Sequence, residues 1–219
     1  LGPLFPGPYE SGVASYKHLY FNATSAAAKI WFLVAGGAIA LYECSARLLR
    51  LHSEKDRLRN PMVVLFCASV FSHYYAWWVC LNYYNDDFYV QWNHQMFFTV
   101  TELLSTAVVM NLADKQNPVT SRKVFIIVGV ALLHILAGGA DQFFNNVVRG
   151  EGYSHQVIRD LGFMIPDILH VIIPLMAYDK ARKDMMITRT HWIRDNAVRK
   201  DLTLMVIGVA TGFLICALL

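Results

Sequence analysis

Five ionisable side chains, His73, Glu102, His134, Asp167 and His170, fall inside long apolar stretches of the chain. An ionisable group inside a bilayer costs about 2.5–3.5 kcal/mol on insertion scales, so each one calls for a partner or a purpose. Histidine titrates near neutral pH and burial moves a carboxyl toward it, so acids and imidazoles in one layer can bind a cation or relay protons. His73, His134 and His170 suit a second chemistry, because three protein ligands and an open position are the usual arrangement of catalytic zinc. Asp167 or Glu102 would then serve as general base and Ser72 would polarise a carbonyl, giving an intramembrane lipid hydrolase. Two of the same histidines would also satisfy the axial positions of one haem. A third use needs no chemistry: Glu102 with His73, and Asp167 with His134, would be interhelical hydrogen bonds worth about 0.6 kcal/mol each. That would make a non-catalytic accessory, assembly or receptor-type subunit.

The elements that carry these groups follow from composition. Of 219 residues, 56% are hydrophobic and 16% charged, against roughly 45–50% and about 25% in soluble domains. A disordered, collagen-like or nucleic-acid-binding chain is excluded on that balance, and a net charge of +3 is too small to call for a polyanionic partner. A span needs about 20 mostly apolar residues at about 1.5 Å each. Six runs qualify, at 30–49, 62–81, 96–113, 124–143, 157–177 and 202–219, and Arg159, Asp160 and Asp167 interrupt the fifth. The expected fold is an all-α, polytopic transmembrane bundle: an N-terminal segment 1–29, then a six-span domain 30–219. The last run reaches Leu219, which leaves room for a seventh span in a longer product.

Charge sets the expected orientation. Arg47, Arg50, Lys55, Arg57 and Arg59 follow the first run, Lys115, Arg122 and Lys123 the third, and Lys180, Arg182, Lys183, Arg189, Arg194, Arg199 and Lys200 the fifth. Only Lys17, Lys29, Arg149 and Arg159 remain for the other side. The positive-inside rule puts the odd connections in the cytoplasm and the N-terminus in the extracellular or luminal space. The glycosylation sequon at Asn22 agrees, since it is modified only on that side. Asp86 and Asp87, in the second connection, would give cations an acidic outer approach.

Counting residues back from the outer end of each run places His73, Glu102, His134 and Asp167 at roughly 12–15 Å depth, with His170 about a turn deeper. Residues three and four apart share a face, so small and polar stripes surround them. These are Ser69, Ser72, His73 and Ala76; Thr99, Glu102, Ser105 and Thr106; His134, Gly138 and Asp141; and Asp167 with His170. Pro166 and Pro174 remove backbone donors beside the last pair and predict a kink. Gly208 and Gly212 form a Gly-x-x-x-Gly face for close helix packing, in a homo-oligomer, a larger membrane complex or the chain itself. No Walker loop, dinucleotide fingerprint or His-Glu-x-x-His pair is present. The expected function is movement of a cation, proton or small polar solute across the bilayer. Glu102, Asp167 and His134 would carry it, with His73 and His170 as partners and Ser72 and Asp141 in support.

Overall fold

Apolar length without β punctuation dictates helices, and the computed structural model, which describes residues 25–85, 89–185 and 194–219, contains no strand among them. The helices are α1 (Ser25–Ser53), α2 (Asn60–Asn85), α3 (Tyr89–Leu112), α4 (Ser121–His134), α5 (Ala140–Phe143), α6 (Ser154–Asp184) and α7 (Asn196–Leu218). Two π-helical segments, Ile135–Gly139 and Phe144–Val148, flank α5, so α4 and α5 continue one another as a single span. Six helices among the described residues are long and apolar enough to cross a membrane. The protein is therefore an all-α helical bundle that fits an integral membrane protein. The helices outrun the apolar stretches at most ends because hydrocarbon sets the apolar length, whereas hydrogen bonding continues into the interface. Thus α6 covers Ser154–Asp184 where the apolar pattern gives 157–177, and α1 begins at Ser25, inside the expected N-terminal segment.

Local chemistry fixes several ends. Thr120 Oγ1 accepts from Lys123 N at the start of α4, and Asp195 Oδ1 accepts from Ala197 N at 2.9 Å at the start of α7. Gln156 Oε1 accepts from Tyr153 N at 2.9 Å before α6. The helix α6 runs unbroken through Pro166 and Pro174. Gly152 approaches Asn146 so closely that an added Cβ would sit 2.9 Å from Asn146 Cα.

Around the bundle, α2 packs on α3 and α6, while α4 packs on α3, α6 and α7. The first helix stands to one side: Phe32 is 81% exposed and Tyr42 70%, and its burial is confined to the region of Leu51. The loops between α1 and α2 and between α3 and α4 are tied together at the Lys/Arg-rich end. Lys115 N donates to Arg57 O and Arg59 N to Ala113 O, both at 2.8 Å. Arg57 Nη2 meets Asp114 Oδ2 at 2.9 Å, and Arg57 also pairs with Glu54. Hydrogen bonds from Arg57 and from the Gln116 amide hold the Asp114 carboxyl below its usual range.

The packed core occupies this same end. Leu51, Met62, Leu65, Phe66, Val109, Met110, Leu112, Ala113 and Ile127 form one buried cluster, and Val124, Phe125, Val128, Tyr178 and Val198 a second. The opposite half of the bundle is opened by a cavity.

Candidate functional site

A cavity of about 510 Å³ extends from His94, Gln142 and Arg159, near the helix ends remote from the basic loops, down to Glu102, His134 and Asp167. Three helices supply the deep residues: α3 gives Glu102, the end of α4 gives His134, and α6 gives Asp167. Gln95, Phe98, Gly138, Gly139 and Asp160 complete much of the lining. The segment Ile135–Gly139 lies directly after His134, so a π turn forms the wall beside the imidazole. Such turns frequently occur at functional sites.

The hydrogen bonds at His134 assign its protons. Thr101 Oγ1 donates to the carbonyls of Phe98 at 2.9 Å and Phe97 at 3.0 Å, so the oxygen lone pair is left to accept from His134 Nε2 at 2.8 Å. His134 Nδ1 then faces Asp167 Oδ1 at 3.8 Å. That separation is within ion-pair reach but beyond a hydrogen bond; with Nε2 as donor, a neutral imidazole leaves Nδ1 as an acceptor on the side of the carboxyl. Phe98 stands edge-on to the ring, with centroids 5.3 Å apart, and fixes its plane. The Glu102 carboxyl has no hydrogen-bond partner among the described residues, and it lies near enough to Asp167 for their charges to interact.

Beneath this tier is a second one. His73 Nε2 meets Thr106 Oγ1 at 2.7 Å, and His170 Nδ1 donates to Pro166 O at 2.8 Å. Thr106 is four residues beyond Glu102 and His170 three beyond Asp167, about one helical turn toward the packed core. The polar stripes do face inward: Ser69, Ser72, Ala76, Ser105 and Thr106 are all buried. His170 lies about a turn deeper, as residue counts give, but His73 joins it instead of the upper tier, because such counts neglect the tilt and stagger of neighbouring helices. Asp167 faces His134 at ion-pair range, 3.8 Å, without the anticipated hydrogen bond, and His73 takes Thr106 instead of Glu102.

Each of the three histidines commits a ring nitrogen to a different neighbour, and among the described residues no three His, Cys, Asp or Glu side chains are grouped to hold a metal ion. The zinc arrangement over His73, His134 and His170, and the hydrolase built on it, gain no support from this geometry. Ser72 is buried away from the cavity lining. Asn22, Asp86, Asp87 and the side chain of Asp141 lie outside the described residues.

Sequence reasoning missed the rim. Asp160, which is buried, takes Arg159 Nε at 2.7 Å and Asn146 Nδ2 at 2.7 Å, while Arg159 Nη2 donates to Gln142 Oε1 at 2.8 Å. Arg159 and Asp160 read as blemishes in an apolar run, yet adjacent opposite charges inside a span are themselves a signal of a polar opening. The Gly212 half of the Gly-x-x-x-Gly face is used within the chain: a Cβ there would meet Leu133 Cδ2 at 2.7 Å, whereas Gly208 faces open space.

No curated protein and no solved structure matches this chain. A family model does match, over residues 2–219, and a match that spans nearly the whole sequence places the chain in the family of unknown function DUF8801.

Proposed function

We propose that the protein is a carrier for protons or a small cation, with Glu102, His134 and Asp167 as the binding groups. The observation that carries this reading is the convergence of two carboxyls and an imidazole, from three helices, at the base of one cavity. Structural hydrogen bonding accounts for His134 through Thr101 but supplies no partner among the described residues for Asp167 or Glu102, whose burial inside a span is costly. The packed core beneath blocks a continuous pore, so transport would need an alternation that opens the basic end. In that cycle, a proton or cation entering past Arg159 changes the charge of the upper tier, and His73 and His170 lie one turn further along the path. The positive-inside rule supports a cytoplasmic basic end and an N-terminus outside or in the lumen, where Asn22 would be available for glycosylation.

The test is proton flux in liposomes, driven by a potassium gradient with valinomycin and read by an internal pH dye. Wild-type protein is expected to acidify the vesicles faster than protein-free controls, with at least a tenfold loss in Glu102→Gln and Asp167→Asn at unchanged melting temperature. Sodium and potassium uptake are measured in parallel. Wild-type vesicles that match the controls for all three ions overturn the reading.

An accessory subunit is the second reading, favoured by the exposed length of α1. Copurification of a larger membrane protein that is lost on replacing α1 with a polyleucine span would support it.

A further inference from the structure

A second cavity, of about 530 Å³, is a groove between α3, α4 and α7, on the other side of the Thr101 and His134 bond from the polar site. Its walls are apolar: Phe97 and Leu104 come from α3, Ile126, Val130 and Leu133 from α4, and Leu204 and Met205 from α7. At one end are Arg122 and Asp201, in the first turns of α4 and α7 at the Lys/Arg-rich end. The two charges are not equivalent. Asp201 is bonded to Ser121 Oγ, whereas Arg122 is exposed and has no ion pair or hydrogen bond among the described residues.

Length supplies the second constraint. From Arg122 to Leu133 the groove runs eleven residues along α4, roughly 16 Å at about 1.5 Å each. One leaflet of hydrocarbon is half of about 30 Å, so the groove has the depth of a single acyl layer. Its cation therefore stands at headgroup level and its far end at the bilayer middle. Gly208 lines the groove, and a Cβ there would meet nothing within 4 Å, so this wall is flat for want of a side chain and not because a neighbour presses on it.

From these features we propose that the groove is a binding site for an anionic phospholipid, with one acyl chain lying along α4 between α3 and α7 and the phosphate on Arg122. The argument is charge complementarity at one end and apolar length along the rest, and it does not depend on the transport reading. The shared Thr101 wall means that an acyl chain filling the groove backs the hydroxyl that orients His134.

The experiment uses the full chain, purified in detergent and stripped of lipid, with thermal melting and native mass spectrometry on adding phosphatidylglycerol, phosphatidylcholine or inorganic phosphate. Phosphatidylglycerol is expected to raise the melting temperature by several degrees and to persist as a bound adduct, with weaker effects from phosphatidylcholine and none from phosphate. Arg122→Gln should abolish the preference between the two lipids. Gly208→Leu, whose Cβ meets no neighbour within 4 Å and whose side chain occupies the groove, should abolish the adduct. Equal retention of both lipids by the wild type, or an undiminished phosphatidylglycerol adduct in both variants, overturns the proposal. If Gly208→Leu fails to fold, photocrosslinking of wild-type protein with a phosphatidylglycerol bearing a diazirine in its acyl chain decides. Label on α4 and α7 peptides lining the groove supports the site, and label confined to other helices overturns it.

Discussion

Glu102, Asp114 and Thr101 make three different demands on their surroundings. The Thr101 hydroxyl is the acceptor for His134 Nε2, so Thr101→Val strands a ring N–H and should cost about 1–3 kcal/mol, measurable by thermal melting in detergent. Asp114 is held ionised by Arg57 and the Gln116 amide, so its folded pKa lies below its unfolded one. Its contribution is present at neutral pH and lost as pH falls through the folded value, below the usual carboxylate range of about 4. Wild-type protein should therefore lose melting temperature on acidification more steeply than Asp114→Asn, and parallel curves would show that the pair contributes nothing. All five intramembrane ionisable residues were legible because the cost of burying charge marks them in any sequence. The residue count set His170 a turn deeper but left His73 level with Glu102, since it gives height along each helix and not the stagger between helices. Arg159 and Asp160 were visible too, but only the fold shows that Asn146 and Gln142 come to meet them.

Helices were the most legible elements, because apolar length alone demands them, and the six expected runs each lie within or close to an observed helix. The interruption in the fourth span was not legible. Leu136-Ala137-Gly138-Gly139 reads as ordinary apolar helix, and no local pattern records the π turn that sets Gly138 beside Phe98 and Gly139 beside Met164. The turn after it depends on Gly152, where any Cβ collides with the Asn146 backbone. Gly152→Ala should push Asn146 away from Asp160 and cost about 1–3 kcal/mol, the usual penalty for overpacking. A melting temperature within a degree of wild type would show that the loop absorbs the methyl group. The Gly208 and Gly212 pair shows the limit of a short motif, because one glycine is used inside the bundle and the other lines a groove.

At the scale of the whole molecule, the basic half is filled with side chains and the opposite half encloses the polar cavity. Access should therefore be one-sided. In a cysteine-free background, Gln95→Cys and Gln142→Cys are expected to react with a membrane-impermeant maleimide from the N-terminal side, while Leu65→Cys reacts from neither. Reaction of Gln142→Cys only from the cytoplasmic side would invert the proposed orientation. The uneven filling also divides the energy of the fold. Amides in elements with few buried apolar contacts open locally at low free energy, whereas those in a dense cluster exchange only on global unfolding. In a hydrogen–deuterium exchange series, the backbone around Gly138 and Asn146 should take up deuterium well before that around Leu65 and Val109. The part of the chain that rearranges most cheaply is then the part that lines the cavity, and any opening of the basic end has to break the clasp between Arg57 and Asp114.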